Sequence, residues 1–65
     1  MKFRLIAAPV ERGDLNRIFS LFEVAQFLEI AVEDLALRGK LSGNVSLDGY
    51  TFEVVRNSVQ GSSFK

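Results

Sequence analysis

Side chains able to do chemistry are few in this chain, and their spacing limits what they can do. The 65 residues include no His and no Cys. Nucleophilic catalysis at a Ser or Thr needs a positioned base. The amines Lys2, Lys40 and Lys65 sit near turns or at the ends of the sequence, where they stay solvated. Thiolate and imidazole metal sites are excluded by composition. Carboxylates remain. Glu29 and Glu33 are four apart, and Asp34 follows directly. On a helix the first two share a face, which suits proton transfer or a hard cation. No calcium-hand spacing surrounds them, so they read as a solvated helix face. The segment Gly39-Lys40-Leu41-Ser42-Gly43 has the residue types of a phosphate loop. It lacks the loop's spacing, and it follows a helix where a phosphate loop follows a strand. The residues point away from catalysis. No enzyme activity, cofactor, metal or small-molecule substrate is expected.

The elements that hold these groups are organised around Leu15 to Arg38, which contains neither Gly nor Pro. Ile18, Leu21, Ala25, Leu28, Val32 and Leu35 recur at alternating spacings of three and four. That spacing puts them on one stripe of a single long helix, widened by Val24 and Ala31. Asp14 is placed to cap its start, and Gly39 to end it in a left-handed conformation. A second reading stays open. Ser20-Leu21-Phe22-Glu23 fits a capping box, so a new helix can begin at Ser20.

Lys2 to Ala8 alternates apolar and charged residues and reads as a strand that Pro9 stops. Val45-Ser46-Leu47 and Tyr50 to Val55 flank Asp48-Gly49, a hairpin signal because both turn positions want positive φ. The expected fold is α+β: a two-layer domain with one long helix on a small three-stranded sheet, in the order β-α-β-β. The first strand is expected to pair with the last. The expected core is Phe3, Leu5, Ile18, Leu21, Val24, Leu28, Val32, Leu35, Val45, Leu47, Phe52 and Val54. Residues 1–56 make one domain, and 57–65 read as a flexible polar tail.

Eight basic and eight acidic side chains cancel, and the basic ones are scattered. A phosphate backbone selects a concentrated basic footprint, which is missing here. Lys2 and Arg4 precede an apolar run that Pro9, Glu11 and Arg12 interrupt too early for a secretory signal. No window is apolar over the roughly 18 residues that span a bilayer. A soluble, cytoplasmic protein without a membrane partner is expected.

Function is read from what the helix leaves uncovered. Phe19, Phe27 and Ile30 lie off the main stripe among Glu23, Gln26 and Glu29. An apolar centre with a polar rim is how protein interfaces are built. The expectation is a small non-enzymatic protein-interaction module with a regulatory or accessory role. It self-associates or binds a protein partner through Phe19, Glu23, Gln26, Phe27 and Ile30.

A second reading rests on a resemblance. Ser20-x-x-Glu23-Val24-Ala25-x-x-Leu28-x-Ile30 resembles the first helix of excisionase-like and mercury-resistance-regulator-like domains. Gly39-Lys40-Leu41 looks like the entry to their wing, and Asp48-Gly49-Tyr50-Thr51-Phe52 like the wing hairpin. The resemblance covers about half of the chain. It implies a winged-helix-like, helix-turn-helix DNA-binding protein whose recognition helix, Val32 to Arg38, is shortened by about one turn. Arg38, Lys40 and Arg56 would then be its phosphate contacts.

Overall fold

The computed structural model describes residues 1–56; the tail expected at 57–65 lies outside them. The element order is β1 (Lys2–Ala7), β2 (Ile18–Ser20), α1 (Leu21–Leu28), α2 (Val32–Ser42), β3 (Asn44–Leu47) and β4 (Tyr50–Val55). The fold is α+β, with two helices and a four-stranded antiparallel sheet in the order β2-β1-β4-β3. The first strand pairs with the last, as expected, with Phe3 opposite Val54 and Leu5 opposite Phe52.

One long helix on three strands is therefore a correction, and two local signals explain it. The first is the capping box. The Glu23 N–H donates to Ser20 Oγ at 3.1 Å, and the Ser20 N–H donates to Glu23 Oε1 at 2.8 Å. These bonds start α1 at Leu21 and release Ile18–Ser20 to pair with β1 as an edge strand. Asp14 does not cap a helix. It begins a turn in which the Arg17 N–H donates to the Asp14 carbonyl, and Asn16 takes a φ of 72°.

The second break lies between α1 and α2, where no Gly or Pro marks it. Glu29 adopts the left-handed conformation, φ 59° and ψ 45°. Its N–H donates to the Gln26 carbonyl, and the Ile30 N–H donates to the Ala25 carbonyl at 3.0 Å. This bond pair is the Schellman arrangement that closes a helix. The Ile30 side chain then packs against the core, so a hydrophobic contact fixes a turn that propensity alone would not choose. A residue with a Cβ costs about 1–2 kcal/mol in this conformation. Glu29→Gly should accordingly raise stability by roughly 0.5–1 kcal/mol after the extra unfolded-chain entropy is counted. In one continuous helix the same change would cost about 1 kcal/mol. The sign of the shift in a urea titration separates the two structures.

Gly39 is not a helix end either. It sits inside α2, which runs on to Ser42 and stops at Gly43, φ 83°. An ideal Cβ at Gly39 would lie 2.9 Å from Val54 Cγ2 and 3.3 Å from Phe3 Cζ. The missing side chain lets α2 settle onto the sheet. Asp48 and Gly49, with φ 55° and 86°, form the expected hairpin turn between Leu47 and Tyr50.

The core is Phe3, Leu5, Val24, Ala25, Leu28, Leu35, Val45 and Phe52. Leu21, Val32, Leu47 and Val54, expected inside, are half-buried against it. Ile18 is 40% exposed. It sits opposite Arg4 in the sheet, on the side away from the helices, which helical spacing could not reveal. That open side also carries Lys2 and Glu53. One bare, largely polar face is usual for an antiparallel sheet.

Candidate functional site

Ten residues connect β1 to β2, and one side chain anchors them. Arg12 donates through Nε and Nη2 to both carboxylate oxygens of Asp14, each at 2.8 Å. Its guanidinium lies 5.4 Å from the Phe27 ring centre and 5.6 Å from that of Tyr50. It also reaches the Tyr50 hydroxyl at 3.5 Å. The hydrogen bond from Arg12 holds the Asp14 carboxyl below its ordinary pKa, and the same bond raises that of Arg12. One cation thus joins a loop to two aromatic rings from α1 and β4, by charge and by attraction to the ring faces.

Beneath Arg12 lies a cleft of about 170 Å³ lined by Leu5, Arg12, Phe19, Glu23, Val24, Phe27 and Phe52. Three of the five residues assigned to partner binding, Phe19, Glu23 and Phe27, meet here. Gln26 is exposed elsewhere on α1, and Ile30 packs on the core from the inter-helix turn. The rings are already partnered. Phe27 meets Tyr50 edge-on, with centres 4.9 Å apart, and Phe19 meets Phe52 edge-on at 6.0 Å. Such pairs add to area burial, so much of the apolar surface credited to a partner is covered by the chain itself. Phe27 keeps 45% of its surface exposed.

The carboxylates Glu29 and Glu33 do not share a helix, because the turn at Glu29 separates them. No group of three or more metal-ligating side chains is found among the described residues.

The outward face of α2 is different in kind. Leu37 is 54% exposed and Leu41 is 77% exposed; four residues apart, they stack on one face. Met1, 51% exposed, joins Leu37, Glu33, Ala36 and Lys40 around a shallow depression. Sequence reasoning missed this face because it ends the helix at Gly39, before Leu41, whereas α2 runs on to Ser42. The Leu37–Leu41 spacing was its only signal.

The residues assigned to DNA also sit on α2 or near its end. Arg38 pairs with Asp34 at 3.3 Å. Lys40 lies two residues on, about 200° around the helix, so the two cations leave on opposite flanks. Arg56 lies at the end of β4, in a shallow groove with Arg4 and Glu53. The three do not form one stripe. Running to Ser42, α2 is longer than the Val32 to Arg38 segment read from sequence.

No protein-family model, curated protein or solved structure matches the chain in comparison. Among the described residues, no helix is long and apolar enough to cross a membrane.

Proposed function

We propose that the protein is a small interaction module that docks on protein surface through the outward face of α2. The observation that carries this reading is the pair Leu37 and Leu41, more than half exposed and one turn apart. Two large aliphatic side chains in water on a helix of only 11 residues lose nothing by being covered. Each can contribute about 1.5–3 kcal/mol if fully buried. Glu33, Asp34, Arg38 and Lys40 surround them, giving the apolar centre and polar rim of an interface.

A winged-helix-like DNA-binding module is the second reading. Its support is connectivity: two helices joined by a short turn, then a hairpin whose last strand pairs with β1. A recognition helix presents donors to base edges and phosphates. Here the first turn of α2 presents Glu33 and Asp34, which repel phosphates.

Amide NMR spectra separate the two readings. At about 1 mM protein an exposed apolar face makes weak contacts with any neighbouring molecule. Raising the concentration to that level should therefore shift the amides around Leu37 and Leu41, and Leu41→Asp should suppress the shifts. Adding a random-sequence duplex at low salt should move nothing. Duplex-induced shifts at Arg38, Lys40 and Arg56 that collapse as salt rises would decide for DNA. Concentration-dependent shifts confined to Phe19 and Phe27 would move the interface to the cleft.

A further inference from the structure

We infer that the surface covering α2 is α2 of a second copy, packed antiparallel about a two-fold axis near Ala36. This rests on the α2 interaction reading and adds the partner and its register. On the outward face, Leu37 and Leu41 form the central line. One flank carries Glu33 and Lys40, and the other carries Asp34 and Arg38. Two antiparallel helices related by a two-fold axis place the same flank of each copy together, and every contact occurs twice. Glu33 of one copy then faces Lys40 of the other, and Asp34 faces Arg38.

Axial register agrees with this pairing. Residues 33 and 40 are centred between 36 and 37, and residues 34 and 38 are centred at 36. The two centres differ by half a residue, under about 1 Å along the helix. A single axis therefore satisfies both flanks. In that register Leu37 lies beside the axis and meets the other copy's Leu37. Leu41 reaches over the other copy's first turn. A parallel pair in register would instead bring opposite flanks together, with Glu33 against Asp34 and Lys40 against Arg38, which opposes like charges on both sides. The charge pattern selects a second copy in one orientation, where an unrelated apolar partner would need no such symmetry.

The size of the face sets the strength. Stable interfaces bury about 1,200–2,000 Å² in total, and an 11-residue helix about 16 Å long falls short of that. The dimer is a weak one, seen at high protein concentration.

Light scattering and sedimentation equilibrium from about 10 µM to 1 mM test the proposal on three chains. The wild type should shift from monomer to dimer with concentration. Lys40→Glu sets like charges opposite each other twice and removes two attractions, so the dissociation constant should rise about tenfold. Glu33→Lys with Lys40→Glu restores opposite charges in the same register and should recover wild-type dimerisation. Both changes oppose the dipole of α2, so the double variant is the less favourable helix, and its recovery cannot come from better folding. Circular dichroism checks that each variant is folded. A wild type that stays monomeric at 1 mM overturns the proposal and leaves the face to a different protein. A dimer indifferent to Lys40→Glu, or a double variant that does not recover, overturns this register while the α2 reading stands. Concentration-dependent NMR shifts absent from α2 would remove both.

Discussion

Phe3→Ala should lower the melting temperature by at least about 12 °C, from a loss of about 3–5 kcal/mol. The Phe3 ring is fully buried in the central strand β1. It sits opposite Phe19 on one side and Val54 on the other, and its edge approaches the backbone of α2 at Gly39. It therefore touches both neighbouring strands and the second helix. A domain of this length has a total stability of only about 3–10 kcal/mol, so the variant should lie near its unfolding midpoint at physiological temperature. Thermal and urea unfolding by circular dichroism measure it. A loss below about 1 kcal/mol would mean that α2 does not close over β1 as described.

The second large effect is expected at Gly39. In an exposed helix, Gly→Ala raises stability by about 1 kcal/mol. Here the new Cβ would lie 2.9 Å from Val54 Cγ2, and Val54 is a stiff β-branched residue on a paired strand. Gly39→Ala should gain nothing. Gly39→Val adds two γ carbons at the same contact and should cost about 1–3 kcal/mol by overpacking, together with the lower helix propensity of Val. A stabilised Gly39→Ala protein would show that α2 stands off the sheet. The same substitution would loosen α2, so the dimer assay should be repeated on Gly39→Ala as a control for helix position.

The sequence displayed more of the sheet than of the helices, for physical reasons. Alternation at Phe3 and Leu5 and positive-φ chemistry at Asp48-Gly49 are local signals, and both elements appear where expected. The capping box at Ser20 was also legible as an alternative. The end of α1 was not. Glu29 is an ordinary helix former placed in a left-handed conformation, held by the burial of Ile30 after it. Tertiary packing decided that turn, and the apolar spacing continues through it as if nothing happened. Gly39 misled in the opposite sense, because a Gly kept for close packing looks like a Gly kept for its φ. That single misreading shortened α2 and hid Leu41. Phe19, Glu23 and Phe27, grouped from sequence, line one cleft. Their partners Arg12, Tyr50 and Phe52 come from distant parts of the chain, so no spacing rule joins them to α1.

The pairing of β1 with β4 has a consequence for how the fold is reached. The α1–α2 unit and the β3–β4 hairpin join residues close in sequence and can form early. The β1–β4 ladder joins Lys2 to Val55, and closing so long a loop delays such contacts relative to local ones. During synthesis, β1 leaves the ribosome before β4 and must wait for this main partner strand, with Phe3 and Leu5 exposed to water and to other chains. Lys2 and Arg4 alternate with these apolar residues, and charges so placed hinder strand-to-strand association between unfinished copies. Completion of β4 is then the step that ends this vulnerable interval.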